Sequence, residues 1–100
     1  VNMPEKKDSF VIEKIKPYFP YKIVKTLGGL DLIDKRTNKK LGIANEKIFL
    51  AYDNYLKNWG KTHLKLNNSK LTILDDNQKE IDSIELNKRQ QEFVKRFFFN

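Results

Sequence analysis

The sequence contains no cysteine and a single histidine, His63. The first absence excludes disulfides, thiolate nucleophiles and thiolate-held metals. The second leaves only one candidate base for a histidine-based triad. His63 has no nucleophile signal paired with it, so it reads as a boundary residue at the start of a predicted strand. Glycine is scarce, at four positions, and Gly28-Gly29 lacks the spacing of any phosphate-binding fingerprint. No apolar run approaches the roughly eighteen residues of a membrane-spanning helix. The N-terminus carries no secretory apolar region. Together these absences set the expectation of a cytoplasmic, non-enzymatic protein with no cofactor, no metal and no membrane partner.

The carboxylates give little more. Asp31 and Asp34 could share a Mg²⁺ as nuclease carboxylates do, but two acids three apart on a strand and its turn need not converge. The acidic run from Asp75, DDNQKEIDSIEL, has the outline of a Ca²⁺ loop and fails its pattern. Lys79 occupies a ligand position, the bend has no glycine, and the last position is not Glu.

Lysine is what the chain has in excess. Basic residues number 20 against 13 acids, a net charge of +7, and all but three of the cations are Lys. Lys, Asn and Ile abundance is what an AT-rich genome encodes, so part of the basic balance is compositional. The remainder favours nucleic acid or another acidic partner through long-range attraction. One hundred residues are enough for one cored domain, assigned to 9–100. Residues 1–8 are polar and expected to fray, or to be vector-derived. Val1-Asn2-Met3 does not resemble a native start; it reads as a remnant before Met3 or as the edge of a domain cut from a longer chain.

The strongest local pattern is Asn45–Gly60. Ile48, Tyr52, Tyr55 and Trp59 recur at steps of four, three and four, and Phe49 and Leu56 widen the stripe, which predicts an amphipathic helix. Asn45 is the expected cap, Gly60 the expected left-handed stop, and Lys47, Asn54 and Asn58 the wet face. The aromatic stripe could stack on bases, but helical spacing is what a core contact demands, and core is the reading adopted.

Around this helix the period is two. A short helix from Asp8 or Ser9, with Phe10, Val11, Ile15 and Tyr18 inward, stops at Pro17 and Pro20. Strands follow at Lys22–Leu27 and Leu30–Ile33 about a Gly28-Gly29 turn, then the polar turn 34–40 and a short strand Leu41–Ile43. After the helix come strands near Thr62–Leu66, Leu71–Leu74 and Glu80–Leu86. Asn87 and Gln90 then form a capping box for a last helix with Phe93, Val94, Phe97 and Phe98 inward. The fold class is therefore α+β: a short N-terminal helix and two antiparallel β-meanders, each followed by a helix. The two halves suggest an internal βββα repeat, LDLIDKRTNKKLGIANEK aligning with LTILDDNQKEIDSIELNKR. The outline is similar to small three-stranded DNA-binding modules, an analogy of architecture alone.

The halves differ in charge. The candidate nucleic-acid-binding set is Lys22, Lys25, Lys35, Arg36, Thr37, Asn38, Lys39 and Lys40, with Lys14 and Lys16 adding to the same potential. Lys and Arg hold phosphate oxygens, and Thr and Asn can reach base edges. A β-ribbon fits a DNA major groove. The competing reading is a solvated turn whose lysines guard a sheet edge. The expected partner is DNA, with RNA as a second candidate, and the source a plasmid, a phage or an AT-rich bacterium. The alternative function is a protein-binding module or inhibitor using the acidic second hairpin and the Phe-rich C-terminus. Phe99 cannot share one helix stripe with Phe97 and Phe98, so a homodimer through the last helix, a partner protein or a continuation of the chain would cover it, unless the end is frayed with one exposed aromatic.

Overall fold

The computed structural model describes residues 6–100. Asp8 opens the first helix, α1 (Ser9–Ile15), by accepting from the Val11 N–H at 3.1 Å. Then come β1 (Tyr21–Thr26), β2 (Gly29–Asp34) and β3 (Lys39–Lys40). A 3₁₀ turn, Asn45–Lys47, runs into α2 (Ile48–His63). The second half is β4 (Leu64–Asn67), β5 (Lys70–Leu74), β6 (Glu80–Glu85) and α3 (Lys88–Phe98). The fold is mixed α+β. Two three-stranded antiparallel sheets, ordered β1-β2-β3 and β4-β5-β6, are each followed by a helix. Of the N-terminal segment expected to fray, residues 1–5 lie outside those described. Lys7 places its ammonium 2.8 Å from the buried carboxylate of Asp53 on α2.

α2 lies between the two sheets and touches β1, β2, β4, β5 and α3. Its apolar stripe makes this possible: Ile48, Leu56 and Trp59 are buried, Tyr52 and Tyr55 half-buried, and Lys47, Asn54 and Asn58 exposed. Phe49, expected in the stripe, is exposed. The main core joins α2 to α1, α3 and the second sheet, through Val11, Ile15, Leu71, Ile73, Val94 and Phe98 among others. The register explains the second sheet's share. Leu66, Leu71 and Ile84 stand in one cross-strand row and Leu64 and Ile73 in another, so each row presents its side chains to one face.

Further expectations about the elements need correction. Gly60 does not stop α2. It sits buried inside the helix, where an added Cβ would collide with the Phe98 ring; the missing side chain lets α2 and α3 approach. The helix continues to His63, so Thr62 and His63 are helical and β4 begins at Leu64. Asn45 does not cap the helix. Its side chain accepts from the Leu30 N–H at 3.0 Å and donates to the Gly28 carbonyl at 2.9 Å, tying the first hairpin to the helix start. The third strand is Lys39–Lys40, not Leu41–Ile43. Leu41 adds one ladder bond to Leu32 O at 2.8 Å, and Gly42, at φ +69°, then turns the chain away.

The corner after α1 matters more than its sequence suggests. Phe10 and Tyr18, expected inward, are exposed at 42% and 37%, and Phe19 is the buried residue. The Phe19 ring meets Tyr21, Tyr52 and Trp59 edge-on at 5.4–5.6 Å. The Tyr18 hydroxyl donates to Asp82 of β6 at 2.9 Å. This corner therefore plugs the seam between the two sheets. The first hairpin turns at Leu27-Gly28, since Thr26 pairs with Gly29.

Candidate nucleic-acid interface

Register divides the basic set of the first sheet. Lys22, Ile33 and Lys40 are cross-strand neighbours, as are Tyr21, Asp34 and Lys39. Neighbours in a row share a face and adjacent rows point oppositely. The Tyr21 row faces α2, its ring 4.7 Å from that of Tyr55. Lys22 and Lys40 thus flank Ile33 on the outer face. Lys39 belongs to the other row, and Lys25, opposite Leu30, stands near the hairpin end.

Lys35 joins the outer pair to α1. Its ammonium donates to the Lys16 carbonyl at 3.2 Å. Burial first, and then the charges of Lys22 and Lys16, hold its pKa below the ordinary lysine range. Lys16, Lys22 and Lys35 are therefore a cluster of like charges, with Lys40 across Ile33. Among the described residues, no carboxylate lies within ion-pair distance of any of the four.

Arg36 is engaged within the fold. Its Nε and Nη2 clamp the two carboxylate oxygens of Asp34 at 2.9 and 2.8 Å, and Nη2 also donates to the Tyr21 hydroxyl at 3.2 Å. The bidentate pair holds the Asp34 carboxyl below its usual range and the guanidinium firmly charged. Thr37 and Asn38 shape the turn. Thr37 Oγ1 accepts from the Lys39 N–H at 3.4 Å, while Asn38, at φ 63°, donates its N–H to the Asp34 carbonyl at 2.7 Å. Both side chains are exposed at the turn tip. Lys14 is also exposed, its ammonium 5.5 Å from the centre of the Phe10 ring. Asp31 and Asp34 occupy opposite faces, and Asp31 accepts from the Leu32 and Ile43 N–H groups. Among the described residues no cluster of three or more His, Cys, Asp or Glu side chains could hold a metal.

Two features were hidden from sequence reading. Arg89 and Arg96, seven apart on α3, line a cleft of about 280 Å³ with Lys6 and Phe93; the i, i+7 spacing was the available signal. A second cleft, of about 330 Å³, opens at the seam between the sheets. Lys35 and Arg36 stand on one rim and Asp75 and Asp76 on the other, with Trp59 and His63 between. His63 closes α2, stacks on Trp59 at 5.2 Å and 9°, and places Nε2 2.7 Å from Asp76 Oδ1. No linear spacing brings these residues together. At the C-terminus Phe97 and Phe98 are buried and Phe99 is 44% exposed.

No protein-family model matches the sequence, and neither a curated protein nor a solved structure is significantly similar to it. Among the described residues no helix is long and apolar enough to cross a membrane.

Proposed function

We propose that the chain is a non-enzymatic DNA-binding protein that holds the phosphate backbone on the outer face of its first sheet, through Lys16, Lys22, Lys35 and Lys40. The observation that carries this reading is the unneutralised lysine cluster. Like charges held together raise the free energy of the folded chain, and a polyanion relieves that repulsion. Each phosphate contact also releases a condensed cation from the nucleic acid. Lysine at all four positions suits backbone contact more than base reading, for which arginine is the better donor. Thr37 and Asn38 at the tip are the side chains best placed to touch a base edge. Lys25 and Lys39 add long-range attraction. Arg36 serves the shape of the turn.

The test is fluorescence polarisation with a labelled duplex over a salt series, comparing the wild type with the Lys16→Gln, Lys22→Gln, Lys35→Gln, Lys40→Gln variant. Each phosphate contact contributes about 0.9 to the slope of log affinity against log salt, so the slope should fall by about 3 to 4. An unchanged slope and affinity would remove this face from the proposal. The alternative role, binding a protein through the acidic hairpin and C-terminus, draws less support. Asp82 and Glu85 are engaged by Tyr18 and Ser69, and Asp75 by N–H groups of its own turn, leaving Asp76, Glu80 and the exposed Phe99 as its features.

A further inference from the structure

Backbone contact leaves the seam cleft unexplained. We infer that this cleft takes one unstacked base of a single-stranded DNA whose backbone lies on the lysine face, an inference that rests on the DNA-binding reading above. The two surfaces are continuous. Lys35 belongs both to the lysine cluster and to the rim of the cleft, and Lys16 lies two residues before Tyr18, which forms part of its wall. The cleft's volume, about 330 Å³, is at the small end of ligand sites and suits a single ring system rather than a folded chain.

The lining divides by charge in the way a nucleotide does. Lys35 on one rim matches a phosphate, while Arg36 beside it is held by Asp34. The opposite rim is acidic, and a second phosphate there would be repelled. An exocyclic amine would instead find an acceptor, as cytosine N4 does with a carboxylate. Asp75 Oδ1 already accepts from the Asn77 and Lys79 N–H groups at 2.8 and 2.9 Å. Asp76 uses Oδ1 toward His63, and its side chain is 80% exposed, so its second oxygen is open to a ligand. Between the rims the ring of Tyr18 and the His63 ring, itself stacked on the buried Trp59, provide π-surface for a base. A base inside a duplex cannot enter such a cleft without leaving the stack, whereas a single strand offers one directly. The expected preference is for single-stranded over duplex DNA, and for amine-bearing cytosine over thymine.

Trp59 is the chain's one tryptophan, so its emission reports on the cleft. The titrants are short oligo(dC), oligo(dT) and inorganic polyphosphate, a polyanion with no bases. Polyphosphate should bind and leave Trp59 emission unchanged, while oligo(dC) should bind and quench it, and more tightly than oligo(dT). Tyr18→Ala should weaken oligo(dC) roughly tenfold, within the range for loss of one stacked base, with polyphosphate affinity unchanged. Tyr18→Phe, which keeps the ring, should retain oligo(dC) affinity, and Asp76→Asn should remove the preference for dC over dT. Binding of oligo(dC) without quenching, or equal weakening of both polyanions by Tyr18→Ala, would overturn the cleft while leaving the lysine face standing. Absence of binding to every polyanion would overturn the DNA reading itself.

Discussion

Between Lys22 and Lys47 the first unit carries seven cations against three carboxylates; between Leu64 and Asn87 the second carries three against five. Yet the backbones of the two units follow one plan. In each, an Asp begins the second turn and a residue near φ 64° closes it: Asp34 with Asn38, and Asp75 with Gln78. Burial differs as well. β4, β5 and α3 contribute Leu64, Leu71, Ile73, Phe93, Val94, Phe97 and Phe98 to the main core. The first sheet buries Leu32 and Ile33 apart from that core. Turn chemistry and strand period thus fix a backbone plan that tolerates opposite surface charge. The second unit supplies most of the anchoring mass, and the first presents charge.

The difference in anchoring should be the easiest to measure. Phe98 is fully buried against Gly60, and Phe98→Ala should cost about 3–5 kcal/mol in urea unfolding. Ile23 on β1 is only half-buried, and Ile23→Ala should cost about 1 kcal/mol. Equal losses would mean that the two units share the core evenly. Next in size is Asn45→Ala, which removes both hydrogen bonds between the helix start and the first hairpin. It should cost about 1–2 kcal/mol. Hydrogen exchange should quicken in β1 and β2 and not in β4–β6; faster exchange in both sheets would deny the hairpin its separate tether.

The smallest effect concerns Lys35. Its charged form is disfavoured in the fold, so it loses its proton below the ordinary lysine value of 10.5. Because the unfolded chain holds that proton longer, stability from this group rises with pH across the window below 10.5. DNA affinity should run the other way, falling as pH climbs through the lowered pKa. Lys35→Arg stays charged throughout and should flatten that fall; the same decline in both proteins would exclude Lys35 as a phosphate contact.

Much of the fold was legible because its signals are local. The Asn87–Gln90 capping box forms on both sides, and Phe93, Val94, Phe97 and Phe98 face inward as their spacing requires. Gly60 was misread because a glycine after an apolar stripe usually ends a helix, while here it answers to Phe98, far away in sequence. Asn45 was misread for a similar reason, since its partners lie 15 and 17 residues upstream. Phe19 sat between prolines with no period to reveal it. In the candidate site the basic residues were visible as a group, but which face each lysine takes depends on register, and the Asp34 clamp on Arg36 emerged only with the turn. The seam cleft draws on four separated stretches of chain and has no linear signature.

The most direct test sets the two units against each other at equal net charge. One variant replaces Lys16, Lys22, Lys35 and Lys40 with Gln, and the other replaces Lys65, Lys70, Lys79 and Lys88, all exposed in or beside the second unit. Duplex affinity is then measured across a salt series for both. The expected result is a steep loss of affinity and salt dependence in the first variant only. Equal losses in the two would show that attraction follows net charge alone, and would contradict a binding face on the first sheet.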